Sequence, residues 1–273
     1  MPAPRIFASQ SEPRAQWTHV LASVLALCGP QHRQALMREF LDEDIDGVDT
    51  AIVREFAPAG GDVIDIVVQE RDKAWALAVQ TSLTFQGDIG GRLEAAAGAL
   101  SDYGRVIVMG ITADRKPGPY MDAVASAGAE TRYCSWLRVR DWVQERPERG
   151  KAEGTDLMVL QQAEYFLTPN VAELYRLEDI VPTVPLEARE AVTAAFFGLN
   201  DLSPAPRIDQ APDGATANFP RTGDTTVELI VRGGSARLAL AGGEDVAIGS
   251  DADWEAAASG ALATARRLLP RKR

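Results

Sequence analysis

Apolar positions near the start of the chain recur every three or four residues. The apolar stripe that begins at Trp17 and ends at Cys28 has this spacing, which predicts an amphipathic helix. A Gly-Pro pair ends it, and residues 31–41 repeat the pattern and predict a second helix. Residues 50–56 are the first segment with strand character. The chain is therefore expected to begin with two helices followed by a sheet.

The stretch 61–112 changes from helical spacing to β-branched apolar runs. Residues 63–68 and 74–79 are two such runs, and the charged residues 70–73 between them predict a β-hairpin. The alanine-rich segment 92–103 predicts a helix, and 105–111 predicts a buried strand. The order is strand, strand, helix, strand.

The remaining chain predicts an α/β protein with a small α+β unit at its end. After a loop come a helix at 120–129, a strand at 131–137, a helix at 139–144, a charged linker at 145–154, and helices at 156–167, 171–177 and 186–197. Residues 200–222 predict a loop, 226–232 and 236–241 a hairpin around Gly-Gly, 244–248 a third strand, and 250–269 a last helix. We divide the chain into a domain at 1–170, a helical connector at 171–199 and a small α+β domain at 200–273. The mixed sheet is expected in the first domain.

Composition narrows the classes of partner. The chain of 273 residues has a formal net charge of −11, which disfavours a nucleic-acid partner at long range and favours a protein partner. Its two cysteines, Cys28 and Cys134, lie in apolar surroundings and are expected to be buried free thiols. The sequence shows neither an apolar run of membrane-spanning length nor the apolar core of a signal peptide, so we expect a cytoplasmic protein without a membrane contact.

Polar residues at the strand ends carry a resemblance to a known family. Asp65 lies on the first strand of the hairpin, Gln80-Thr81-Ser82 ends the second strand, and Arg92 begins the following helix. This order resembles the PD-(D/E)XK nuclease-like (restriction-endonuclease-like) superfamily, which has an Asp on one strand, a (D/E)-x-K triplet on the next, and often a Gln near the helix start. The resemblance implies a mixed sheet flanked by helices over about residues 10–170.

The resemblance assigns further residues to the site. Many members carry a Glu in the N-terminal helix that contributes to the metal site, and Glu12 would be that residue. A Trp often opens the helix after the last core strand, a position that Trp136 would take. Acids in a first helical turn are also favoured by the helix dipole, and a buried Trp is also an ordinary core anchor.

This sequence departs from the family motif at the positions that carry the chemistry. Mg²⁺ prefers carboxylate and water oxygens, whereas Gln80 offers an uncharged amide. Ser82 cannot supply the cation that stabilises charge on a reacting phosphate, and loss of one such group costs ~10²–10³ in rate. We therefore expect a catalytically degenerate site formed by Glu12, Asp65, Gln80, Ser82 and Arg92, with no cofactor.

Two alternatives stay open. An active Mg²⁺-dependent DNA or RNA nuclease could use Asp65 and Glu12 as metal ligands, with Glu94 and Arg92 as relocated groups. Lys73 is a poor substitute, because the hairpin turn lies about 20 Å from residue 80 at strand rise. The other alternative is a protein-interaction module in which the acidic surface meets a basic partner and the cleft is unused. Asp65 itself is either a leftover site carboxylate or a structural hydrogen-bonding acid. Analogy with the fold suggests a binding or scaffolding subunit in prokaryotic defence as the leading hypothesis.

Overall fold

The computed structural model describes residues 13–43, 50–56, 63–70, 72–87, 89–126, 129–149, 152–202, 206–219, 227–240 and 246–248. The chain divides into two compact units, one formed by residues 1–82 and 88–175 and the other by residues 83–87 and 176–273. Each unit has a sheet of its own. The structure is mixed α/β, as the sequence predicts.

The first unit contains six helices and five strands in its described parts. They are α1 (Pro13–Leu27), α2 (Pro30–Leu41), β1 (Thr50–Phe56), β2 (Ile64–Glu70), β3 (Trp75–Thr81), α3 (Gly90–Ala99), β4 (Arg105–Thr112), α4 (Tyr120–Ser126), β5 (Glu130–Ser135), α5 (Trp136–Arg149) and α6 (Gly154–Tyr175). The predicted hairpin at 63–79 and the strand at 105–111 are confirmed.

The five strands form one mixed sheet in the order β1-β2-β3-β4-β5. β1, β2 and β3 are antiparallel neighbours, whereas β3, β4 and β5 are parallel. Parallel neighbours need a crossover, and α3 and α4 supply the two crossovers here. Every residue of β3 is buried, as expected for the central strand of a sheet covered on both faces.

Helices cover both faces of the sheet. On one face, Leu93 and Ala96 of α3 pack with Ala78 and Val108 of the sheet. The start of α3 lies so close to β4 that a Cβ at Gly110 would stand 2.9 Å from Ile89 Cδ1, so a larger residue there would have to displace the Ile89 side chain.

A buried aromatic cluster holds α1, α5 and α6 together. The ring of Trp17 meets Trp136 edge to face at 5.0 Å and Phe166 at 6.1 Å. Trp136 is fully buried and opens α5, so its predicted role as a core anchor is confirmed.

Several predicted boundaries in this unit are wrong. α3 begins at Gly90 and ends at Ala99, not at 92 and 103, and α5 extends through the predicted linker to Arg149. α6 continues through Pro169, where the sequence predicts a break between two helices. Pro169 cannot donate to the carbonyl of Tyr165, a residue that is 71% exposed. The Asn170 side chain donates to the Phe166 carbonyl at 2.7 Å.

Where it is described, the second unit has a short 3₁₀ helix at Val181–Thr183, α7 (Leu186–Leu202) and five strands, β6 (Arg207–Ala211), β7 (Gly214–Phe219), β8 (Val227–Arg232), β9 (Ser235–Leu240) and β10 (Val246–Ile248). The strands form an antiparallel sheet in the order β10-β9-β8-β7-β6. Phe219 packs against Phe196 of α7 at 5.8 Å. Residues 83–87 belong to this unit, where Arg189 donates to the Gln86 carbonyl at 2.8 Å.

The predicted hairpin of β8 and β9 is confirmed, but the predicted loop at 200–222 is wrong. Residues 207–219 form the β6–β7 hairpin, which turns at Pro212 and Asp213, between the paired residues Ala211 and Gly214. Gly214 has φ 154°, and a Cβ there would lie 1.9 Å from the Val231 carbonyl oxygen, so only glycine fits. The predicted last helix at 250–269 lies outside the described residues.

Two further expectations concern membrane-spanning helices and the two cysteines. Across the described ranges, no helix combines the length and hydrophobicity that a membrane span requires. Both cysteines are free and buried. Burial raises the pKa of the Cys28 thiol to about 11 and that of Cys134 to about 12, so both stay protonated and unreactive near neutral pH.

A buried histidine joins three helices of the first unit. His32 lies in the first turn of α2, with its side chain fully buried. Arg146 Nε donates to His32 Nδ1 at 3.3 Å, so the ring proton is on Nε2, which faces Asp156 Oδ2 at 3.5 Å. Asp156 Oδ1 in turn accepts from the Gly29 backbone N–H at 2.9 Å. His32 is therefore neutral and holds α2 against α5 and α6.

This arrangement predicts acid sensitivity. Burial, followed by the Arg146 charge, lowers the pKa of His32, while Asp156 opposes the shift. At low pH the unfolded chain therefore protonates His32 more readily than the folded chain does. The contribution of His32 to the free energy of unfolding is complete above its unfolded pKa of about 6.5 and decreases as the pH falls below that value. His32→Gln keeps one acceptor for Arg146 and one donor for Asp156 but cannot titrate. Urea unfolding from about pH 7.5 to 5 should show a steeper loss for the wild type; equal slopes would contradict the assignment.

Candidate functional site

Asp65 lies where the regular pairing of β2 ends. The β1–β2 ladder passes from Arg54↔Ile66 to Phe56↔Ile64, and Glu55, which lies between these partners, has a left-handed φ of 52°. The β2–β3 pairing begins at Ile66↔Val79. The side chain of Asp65 is 10% exposed at this irregular point. The backbone therefore places a nearly buried carboxylate at the carboxyl end of β3.

Three donors converge on one oxygen of that carboxylate. Asp65 Oδ2 accepts from the backbone N–H of Thr81 at 2.7 Å, from its hydroxyl at 2.8 Å and from Arg92 Nη2 at 3.0 Å. Burying an acid is costly unless the charge is paired and hydrogen-bonded, and here it is both. These contacts explain how an Asp is accommodated in the apolar run 64–68.

Arg92, in the first turn of α3, ties the helix to both strands. Nη1 donates to the Thr81 carbonyl at 3.1 Å, and Nη2 donates to Gln80 Oε1 as well as to Asp65. The planar guanidinium can hold several acceptors at once in a fixed geometry. Its side chain is 27% exposed, so it lies at the mouth of the site.

Gln80 is fully buried and uses both ends of its amide. The oxygen accepts from Arg92, and Nε2 donates to the Val63 carbonyl at 3.3 Å. A carboxylate at this position could accept from Arg92 but would face the Val63 carbonyl with a second oxygen. The amide is thus the side chain that satisfies both neighbours.

Thr81 connects the site to α1. Its hydroxyl lies 2.8 Å from the hydroxyl of Thr18, which also stands 2.9 Å from the Arg14 carbonyl. Thr81 has one hydroxyl proton, and its donation to Asp65 leaves Thr18 as the donor between the two threonines, with the Thr18 proton shared with the Arg14 carbonyl. The polar chain therefore runs from α1 through β3 to Asp65 and α3.

Ser82 is anchored through its backbone. Its N–H donates to the Ile111 carbonyl at 2.8 Å, and its carbonyl accepts from Trp136 Nε1 at 2.9 Å. Ser82 is also largely buried, so this position holds a small neutral side chain. No cation is available from it for a neighbouring phosphate.

The other candidate site residues do not join the contacts around Asp65. Glu94 is exposed, as expected for a residue two positions from Arg92 on a helix. Lys73 lies at the opposite end of β3, 4.0 Å from Asp102 and 5.5 Å from the ring centre of Tyr103. Glu12 lies outside the described residues. Asp65, Gln80 and Arg92 are therefore the predicted residues that meet, with Ser82 beside them after β3.

The described residues around Asp65 do not fit a magnesium ion. Among the described residues, no group of three or more His, Cys, Asp or Glu side chains is placed to hold a metal. Asp65 is the single carboxylate of the contacts described above, and a guanidinium lies on its oxygen, where a divalent cation would be repelled.

The contributions of Thr18 and Thr81 are not among the sequence-based predictions. Thr81 was treated only as the middle of a triplet, although its N–H and hydroxyl lie closer to Asp65 Oδ2 than Arg92 does. A hydroxyl residue inside a buried strand next to an acid is a local signal for this pairing. The Thr18 contact joins residues 63 positions apart, and no local pattern predicts it.

The ion pair predicts a measurable coupling energy. Asp65→Asn and Arg92→Met should each lower the free energy of unfolding by about 2–3 kcal/mol, because the first leaves a partly buried guanidinium and the second a nearly buried carboxylate without its opposite charge. The double variant should lose less than the sum of the single losses by at least about 1 kcal/mol. Denaturant unfolding of the three variants measures this cycle.

Glu94→Gln is the matched control on the same helix, since its side chain is exposed and should change stability by no more than about 0.5 kcal/mol. Additive effects of the Asp65 and Arg92 substitutions would show that the contact does not contribute as proposed.

Comparisons with known proteins give no information about the site. No family model, curated protein or solved structure matches this chain. The nuclease-like resemblance therefore stays a prediction based on element order and strand-end residues.

Proposed function

We propose that this protein is a catalytically inactive relative of the PD-(D/E)XK nuclease-like superfamily that acts as a binding or scaffolding subunit. The observation that carries the proposal is the contact of Arg92 with Asp65 and Gln80. In an active site of this class, carboxylates at these strand ends hold a metal ion. Here a protein cation occupies the position in which the metal would be needed.

The order of elements supports the nuclease-like part of the proposal. Helices precede the antiparallel strands β1, β2 and β3, and α3 then crosses to the parallel strand β4. Asp65 and Gln80, which the resemblance pairs on adjacent strands, are both within hydrogen-bond distance of Arg92. A restriction-endonuclease-like core accounts for this order and for the position of the site.

The chemistry of the site supports the loss of catalysis. Metal-assisted phosphodiester hydrolysis needs a metal to polarise the phosphate and to lower the pKa of an attacking water. Gln80 lacks the negative charge that would bind a metal ion, and Ser82 lacks the positive charge of a lysine. The Arg92 guanidinium already donates to three acceptors. The site is therefore suited to holding β2, β3 and α3 together, and the binding function rests on the surface of the protein.

The wild-type protein should show no response to divalent metals at this site. Addition of Mg²⁺ or Mn²⁺ should leave its melting temperature unchanged, and no cleavage of single- or double-stranded DNA or RNA should follow. Metal-dependent cleavage that Asp65→Ala abolishes would identify an active nuclease and overturn the proposal. DNA binding without cleavage, weakened by salt, would identify nucleic acid as the partner of an inactive subunit.

A restored site tests the resemblance itself. The triple variant Gln80→Glu, Ser82→Lys and Arg92→Gln removes the guanidinium and supplies a second carboxylate and a lysine. We expect it to gain a Mn²⁺-dependent rise in melting temperature, since a ligand that binds only the folded state at 100 times its Kd stabilises by about 2.7 kcal/mol.

The same triple variant with Asp65→Ala is the matched control and should not respond to Mn²⁺. A triple variant that folds, as judged by circular dichroism, yet binds no metal would show that the strand ends lack the geometry of the family.

A further inference from the structure

The chain between β3 and α3 leaves the first unit and then returns to it. β3 ends at Thr81, and Ser82 is the last residue of the first unit before residues 83–87, which belong to the second unit. The first unit resumes before α3, whose first turn carries Arg92. Thr81 and Arg92, which both donate to Asp65, therefore lie on either side of residues 83–87 in the chain. We call these five residues the β3–α3 link.

Three successive residues of the link are buried. Leu83 and Thr84 are each 5% exposed, and Phe85 is 2% exposed. Connecting segments ordinarily lie on the protein surface, where their side chains are accessible to water and their positions are mobile. The burial of these side chains shows that the link is part of a folded core and not a free connection.

Arg189 of α7 fixes the turn at the end of the link. Its guanidinium donates to the Gln86 carbonyl at 2.8 Å, and to the carbonyls of Val184 and Pro182 at 3.1 and 3.2 Å. Gln86 has a left-handed φ of 51°, which is unfavourable for a residue with a side chain. Such a conformation persists only where surrounding contacts hold it. The conformation of the link therefore depends on the folded second unit.

The Asp65 site closes the loop that contains the link. Before the link, the backbone of Ser82 is bonded to the Ile111 carbonyl and to the Trp136 side chain. After the link, Arg92 pairs with Asp65. While the link is held in the second unit, this loop has little conformational freedom to lose. A released link makes the loop flexible, and closing a flexible loop costs conformational entropy, so the pairing of Arg92 becomes weaker.

We propose that the β3–α3 link couples the Asp65 site to the second unit, so that the contacts of Arg92 with Asp65 loosen when the link is released. Coupling free energies are reciprocal, so a partner that binds and stabilises the second unit also stabilises the contacts of Arg92. The coupling follows from the path of the chain and does not depend on the nuclease-like resemblance.

Hydrogen exchange of single amides, followed by NMR in the full-length protein, tests the coupling. Arg189→Met removes the donors to the link and keeps an aliphatic side chain, and Phe85→Leu reduces the buried apolar group of the link itself. Each substitution should accelerate exchange of the Thr81 amide, which donates to Asp65, and of the Leu93 amide in α3. We expect a change of at least about fivefold, which is the effect of one typical hydrogen bond on an opening equilibrium.

Arg207→Met is the matched control in the second unit, because the Arg207 side chain is 81% exposed and is paired with Asp209 of its own strand. It should leave exchange of the Thr81 and Leu93 amides unchanged. The amides of α6 report on the rest of the first unit and should also be unchanged in every variant. Wild-type exchange rates at Thr81 and Leu93 in both link variants would overturn the proposal. Equal acceleration in α6 would also overturn it, because it would show a general loss of stability.

Discussion

The first unit depends on a charged carboxylate that is buried within an apolar strand. Asp65 lies between Ile64 and Ile66, both buried, so its charge must be matched within the protein. Thr81 supplies two donors from the neighbouring strand, and Arg92 supplies a cation from the helix that crosses to β4. One acid thereby joins β2, β3 and α3, and the Thr18 hydroxyl extends the network to α1. Loss of any of these partners removes one or more of the hydrogen bonds that offset the burial of a polar group.

The elements of the first unit were predictable because local pattern and tertiary role agree there. The β-branched runs at 63–68 and 74–79 suit buried strands, and the charged residues between them suit an exposed turn. The prediction failed where a local signal was overridden. Pro169 signals the end of a helix, yet α6 continues because the turn around Pro169 is solvated and Asn170 bonds back to the Phe166 carbonyl. In the second unit, the many turn-forming residues of 200–222 hid the short β6–β7 hairpin around Gly214.

The sequence predicts which residues of the site lie close together, but it does not predict the hydrogen bonds between them. Strand order and side-chain type placed Asp65, Gln80 and Arg92 at one end of the sheet. The irregular pairing at Glu55, which sets the direction of Asp65, depends on contacts with β1 that no pattern in 61–112 encodes. The contact between Thr18 and Thr81 likewise requires the packing of α1 on the sheet. Long-range contacts of this kind decide whether an acid is a metal ligand or a structural partner.

The ion pair and a metal site exclude each other on electrostatic grounds. A guanidinium 3.0 Å from Asp65 Oδ2 neutralises the charge that would attract Mg²⁺ and repels the cation itself. A second acid at position 80 would offset this repulsion, but Gln80 adds no charge and uses its amide to bond Arg92 and Val63. Each change that favours the ion pair therefore disfavours the metal. Arg92 and Gln80 act together in this respect, and restoring metal binding requires changing both residues rather than either one alone.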